Sequence, residues 1–130
     1  MIKSTLLGIW MDHQEAHIIE YSIEQMSTKI ILSKFTQEVK EESLAHGESG
    51  MNTKKQQLQA EYYKEISNEI KKYEGVLIMG PGTSKSELLN SIKDNPVFMK
   101  INIVLQQSFQ MTENQKYAYI REYFSKQYLY

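Results

Sequence analysis

The chain has 130 residues, a formal net charge of −1 and no cysteine, which excludes disulfides and thiolate chemistry. Its pI is about 6.3, and of its fifteen basic residues only Arg121 is arginine, the residue that makes most bidentate base and phosphate contacts. A globally basic, sequence-reading nucleic-acid binder is therefore not expected. The length suits one domain, spanning 1–130, with a core that needs no staples.

Residues 5–11 predict a first strand, Asp12-His13-Gln14-Glu15 a polar turn and residues 16–21 a second strand. So short a break makes these two an antiparallel hairpin. The apolar run in the first strand is far shorter than the ~18–20 residues of a membrane span, and a soluble, cytoplasmic protein without a membrane partner is expected. After a polar connection, residues 28–35 predict a third strand. Residues 36–53 are then almost wholly polar and predict a long loop, since they cannot bury enough apolar surface to hold themselves in place.

Residues 54–73 predict a long helix, because Leu58, Tyr62, Ile66, Ile70 and Tyr73 form one apolar stripe at helical spacing. Gly75 ends it. The run Val76-Leu77-Ile78-Met79 has no polar interruption and predicts a strand covered on both faces. Gly80-Pro81-Gly82 follows as a tight turn, with Thr83 or Ser84 as a helix cap and Glu87 three residues beyond Ser84, the capping-box spacing. The helix so opened stops at Asp94-Asn95-Pro96. Residues 101–105 predict a fifth strand. Thr112, with Gln115 three residues on, opens a last helix that turns Tyr117, Ile120, Phe124 and Tyr128 inward. The order is β-β-β-α-β-α-β-α, which implies an α/β fold with a mixed five-stranded sheet and helices on its faces.

Two stretches draw functional interest. Loops at the carboxyl ends of strands are where open α/β sheets tend to bind ligands. There, Gly80, Gly82, Thr83 and Ser84 could present backbone N–H groups to an anion at a helix N-terminus, with Lys85 adding charge. The spacing is not that of a phosphate-binding Walker motif, and a capped turn without a ligand is the competing reading. The second stretch is the polar segment that passes through His46 and Gly47 and ends at Lys54 and Lys55. Its competing reading is a disordered connection. His13, Glu15 and His17 do not have zinc-motif spacing and lie across a hairpin. Tyrosines 62, 63, 117, 119, 123, 128 and 130 are expected as core or boundary residues, and any left in an exposed patch would mark an interface, including that of a homodimer.

The hairpin Gly8-Ile9-Trp10-Met11-Asp12-His13-Gln14-Glu15-Ala16-His17-Ile18-Ile19, the His46-Gly47 entry to a long helix, and the run from Val76 to Leu88 through Lys85-Ser86-Glu87 carry a resemblance. The chain resembles the middle domain of archaeal and eukaryotic peptide-chain release factors and of Pelota, and small bacterial translational machinery proteins. The resemblance implies a ribonuclease-H-like fold. Release factors carry Gly-Gly-Gln before the long helix, and that glutamine promotes hydrolysis of peptidyl-tRNA. Here the equivalent place reads His46-Gly47-Glu48-Ser49-Gly50-Met51-Asn52. Peptide release by that route is not expected. Binding without hydrolysis fits the resemblance, with the ribosome, rRNA or a translation factor as partner and no cofactor. His46, Gly47, Lys54 and Lys55, with the Gly80–Lys85 turn, are then the candidate RNA- or ribosome-binding residues. The alternative from the same fold is a metal-dependent nuclease with Asp12 at the end of the first strand and Glu65 as a second ligand, against the plainer reading of Asp12 as a turn residue.

Overall fold

The computed structural model describes residues 5–128. Three strands come first: β1 (Leu6–Met11), β2 (Glu15–Glu20) and β3 (Ser27–Leu32). Two helices follow, α1 (Gln37–Leu44) and α2 (Gly47–Ile70), then β4 (Gly75–Gly80), α3 (Ser84–Ile92), the short α4 (Pro96–Met99), β5 (Asn102–Gln107) and α5 (Glu113–Tyr128). The strands lie in the order β3-β2-β1-β4-β5. β1 pairs with β2 and β2 with β3 antiparallel, whereas β1 with β4 and β4 with β5 are parallel. The expected mixed five-stranded α/β fold is thus present.

β4 shows why the sheet takes this form. All six of its residues are buried, and it is flanked by β1 and β5. Helices cover both faces of the sheet, so an unbroken apolar run finds apolar contacts on each side. On one face Leu7, Ile9, Met11, Ile18, Val76 and Ile78 pack with Tyr62, Ile66 and Ile70 of α2 and with Leu88 and Ile92 of α3. On the other, Trp10, Ile19, Leu77 and Met79 meet Ile120 and Phe124 of α5. α5 approaches β1 closely because Gly8 has no side chain: a Cβ there would lie 2.4 Å from Ile120 Cδ1. The start of α5 is fixed by the expected reciprocal cap. Gln115 N–H donates to Thr112 Oγ1 at 3.2 Å, and Thr112 N–H donates to Gln115 Oε1 at 2.9 Å.

Tyr117, Tyr119 and Tyr123 lie partly buried against the second face, and Tyr117 hydrogen-bonds the Thr28 hydroxyl. They are boundary residues and form no exposed aromatic patch. The expectations for the side chain of Tyr128 and for Tyr130 fall outside the described residues.

One expectation is overturned. The predicted loop over 36–53 is α1 and the opening turns of α2. Thr36 caps α1, its Oγ1 accepting the Val39 amide, and α1 packs on α2 rather than on the sheet. α1 has no buried residue and so carries no apolar stripe for the sequence to show. No helix among the described residues is long and apolar enough to cross a membrane.

Candidate functional site

The α1–α2 hairpin turns at His46 and Gly47. His46 caps α2 without a side-chain hydrogen bond, and Gly47 adopts φ +87° with open space around it. The first buried residue of α2 is Leu58. At 1.5 Å per residue, the helix therefore runs roughly 16 Å beyond its anchored part. Lys54 and Lys55 are exposed on this extension. The hairpin carries both signs of charge, since Glu38, Glu41, Glu42 and Glu48 accompany Lys40, Lys54 and Lys55.

The glycine turn after β4 is built differently. Gly80 has φ +147°, and a Cβ there would fall 1.9 Å from the Met11 carbonyl oxygen. Gly82, at φ +66°, lets the chain turn into α3. Lys85 does not project toward a ligand. It is 5% exposed, and its ammonium donates to the Gly82 carbonyl at 2.8 Å and to Gln107 Oε1 at 2.7 Å. The expected phosphate contact is therefore replaced by an internal tie between the turn and the end of β5. Ser84 is fully buried, and its Oγ has no partner among the described residues.

The capping box expected from Ser84 and Glu87 is not made. Thr83 is the N-cap and makes no side-chain cap bond. Its hydroxyl donates to Glu87 Oε2 at 2.8 Å, while Glu87 Oε1 accepts from Tyr63 OH at 2.7 Å. His13 Nε2 lies 3.1 Å from Glu87 Oε1. Burial alone would push the Glu87 carboxyl up. The hydrogen bonds from Tyr63, Thr83 and His13 outweigh it and hold Glu87 below the usual carboxylate range. Burial first, then the bond to Glu87, pushes the Tyr63 phenol up. This carboxylate joins the β1–β2 turn, α2 and α3, and it supplies the negative charge at the start of α3 that an external anion would otherwise bring.

Asp12 is a turn residue. Its Oδ1 accepts from the amides of Gln14 at 2.8 Å and Glu15 at 2.9 Å, and its carbonyl accepts from Tyr62 OH at 2.9 Å. Glu65 is exposed on α2. Among the described residues no group of three or more His, Asp or Glu side chains could hold a metal ion, so the convergence that two-metal hydrolysis needs is not formed. His17 turns to Glu15, at 3.2 Å, and His13 to Glu87, so the His-x-Glu-x-His spacing splits between two partners.

Sequence reasoning missed a cavity of about 630 Å³ where the β1–β2 turn, the end of β3 and the α1–α2 hairpin meet. Lys40 and Lys55 line it with Gln14, Phe35, Thr36 and Gln59, and no carboxylate does. The one readable signal was Phe35 directly before Thr36, an aromatic residue at the mouth of a capped helix. On the opposite face the Lys116 ammonium lies 4.3 Å above the centre of the Trp10 ring, and Trp10 Nε1–H donates to the Phe109 carbonyl at 3.2 Å. Burial holds Lys116 below its usual range, against the pull of Glu15, Glu113 and Asp12. That contact stabilises the face by about 1–2 kcal/mol and opens onto none of the cavities described.

No protein-family model matches the sequence, and no curated protein matches it. Solved structures do match the fold. The Pelota protein of Thermoplasma acidophilum superposes with a TM-score of 0.57 at 17% identity, over 91% of this chain and 32% of that one. Pelota of Archaeoglobus fulgidus gives 0.56 at 9% identity, over 98% and 38%. The archaeal translation termination factor aRF1 gives 0.53 at 15% identity, over 95% and 40%. The chain spans between about a third and two fifths of those proteins. At such identities the likeness speaks for architecture, and it bears out the resemblance drawn from the β1–β2 hairpin and the strand–turn–helix at Val76: this chain has the fold of the Pelota and release-factor middle domain.

Proposed function

We propose that this chain is a non-catalytic binding protein of the translation apparatus, which docks on the ribosome, its rRNA or a translation factor through the tip of the α1–α2 hairpin. The observation that carries the reading is the pairing of that fold with an extended helical tip. His46 and Gly47 stand at its turn and Lys54 and Lys55 further along α2, nearer the sheet, all exposed and with no ion pair among the described residues. Gly-Gly-Gln is absent from the tip, which fits binding without peptide release. Of the turn residues first considered with it, Gly80 and Ser84 are buried, Lys85 ties Gly82 to Gln107 at the end of β5, and Thr83 is exposed beside them.

The test is sedimentation with ribosomes at low salt. The chain is expected in the pellet, and the double variant Lys54→Glu, Lys55→Glu in the supernatant. Recovery of the unaltered chain in the supernatant alone would overturn the reading.

A further inference from the structure

The cavity between the β1–β2 turn and the helical hairpin has the chemistry of a ligand site that neither the fold nor the tip explains. Its volume of about 630 Å³ falls within the roughly 300–1,000 Å³ of small-molecule sites. Lys40 of α1 and Lys55 of α2 approach it from two elements. Neither ammonium has a partner among the described residues. Two uncompensated cations facing one hollow without a lining carboxylate call for an anion.

The backbone adds to this. At the start of α1, Thr36 Oγ1 takes the Val39 amide and the Thr36 carbonyl takes the Lys40 amide. That leaves the amides of Glu38 and of Gln37, which lines the cavity, without an acceptor among the described residues. The rest of the lining differs in character. Phe35 and Leu32 offer apolar surface, and Gln14 and Gln59 each carry both a donor and an acceptor. An inorganic anion would use the lysines and leave this part idle. A flat heterocycle with polar edges would use it, its face on the aromatic ring and its edges on the amides.

We infer that the cavity binds a nucleotide, its phosphate held between Lys40 and Lys55 and its base against Phe35 within reach of Gln14 and Gln59. The nucleotide comes either as a free mononucleotide or as one unit of a single-stranded RNA, which share this chemistry. The inference does not rest on the ribosome reading. It shares only Lys55 with it, and purified chain without ribosomes tests it.

Adenosine monophosphate, adenosine and inorganic phosphate are titrated separately into the full chain by calorimetry, and a labelled single-stranded RNA is followed by fluorescence anisotropy. The nucleotide is expected to bind more tightly than either of its parts. The double variant Lys40→Gln, Lys55→Gln is expected to lose about tenfold or more in affinity, as the loss of about 1.4 kcal/mol implies. Both side chains are exposed and unpartnered, so folding should not change. Phe35→Ala should weaken the nucleotide and leave phosphate binding alone, and Lys126→Gln, on remote α5, should change nothing. Binding of RNA but not the mononucleotide, lost in the double variant, supports the site and assigns its source to RNA. No binding by any probe, phosphate alone binding as well as the nucleotide, or equal losses in Lys126→Gln would overturn it.

Discussion

The chain makes two turns at positive-φ glycines, each followed by a helix, and they differ in construction. The turn after β4 is closed: Gly80 lies against the Met11 carbonyl, Lys85 is buried on Gly82 and Gln107, and Thr83 donates to Glu87. The turn between α1 and α2 is open: apart from its chain neighbours and its own helix backbone, no described atom lies within 4 Å of where a Gly47 side chain would start, and Lys54 and Lys55 beyond it have no ion pairs among the described residues. The first is a candidate anion site on residue type, and the second a candidate RNA- or ribosome-binding segment through the resemblance. What separates them is whether the polar groups are already satisfied within the fold. A lysine spent on two acceptors is a structural tie, and one without a partner is available to a ligand.

Gly80→Ala against Gly47→Ala is the sharpest way to break this contrast. At Gly80 a methyl would overlap the Met11 backbone, and relief would require the carboxyl ends of β1 and β4, the two strands in the middle of the sheet, to separate. Destabilisation of about 3 kcal/mol or more is expected, measured by chemical denaturation. At Gly47 only the positive φ is at stake, for about 1–2 kcal/mol. Comparable losses at the two positions would show that the turns are not built differently.

The lysines sharpen it further. Lys85→Met removes the donor shared by Gly82 and Gln107, leaves two acceptors unmatched near the sheet end, and should cost about 1–3 kcal/mol of stability. Lys55→Met removes an exposed side chain without a partner among the described residues and should stay within about 0.5 kcal/mol of the parent. A stability loss at Lys55 equal to that at Lys85 would mean that Lys55 also serves the fold.

The same distinction explains what the sequence could show. β4 and α2 were legible because their apolar patterns report burial directly: an unbroken run for a strand covered twice, and Leu58, Tyr62, Ile66 and Ile70 for one helix face. α1 was not, because it rests on α2 with no buried residue and so carries no apolar period. Gly50, which reads as a loop signal, sits inside α2, where its missing Cβ faces His46 Cβ 3.0 Å away. Lys55 was found by its position, whereas Lys40, Gln14 and Phe35 join it only because three separate elements converge. Nothing near Lys85 in the chain announces its acceptor Gln107, twenty-two residues away.

The smallest effect expected concerns Glu87, the carboxylate that stands where an anion would at the closed turn. Its folded pKa is lowered, so its stabilisation is fully present above the ordinary value of 4.5 and is lost as pH falls through the lower folded value. Glu69, lowered in the same direction by Lys29 and Lys72 against its own burial, adds to the acid loss of the whole chain. Glu87→Gln isolates the first term. The neutral amide keeps one acceptor, for Tyr63 or Thr83 but not for both, and forfeits the charge, so the variant should be less stable than the parent at pH 7. That gap should close as pH drops below the carboxylate range, read from denaturation midpoints across an acid series. The side chain is 42% exposed, and solvent screening keeps the gap small. Parallel profiles for parent and variant down to the lowest pH would mean that Glu87 acts there by shape alone, and that its charge does not take the place of an anion at the start of α3.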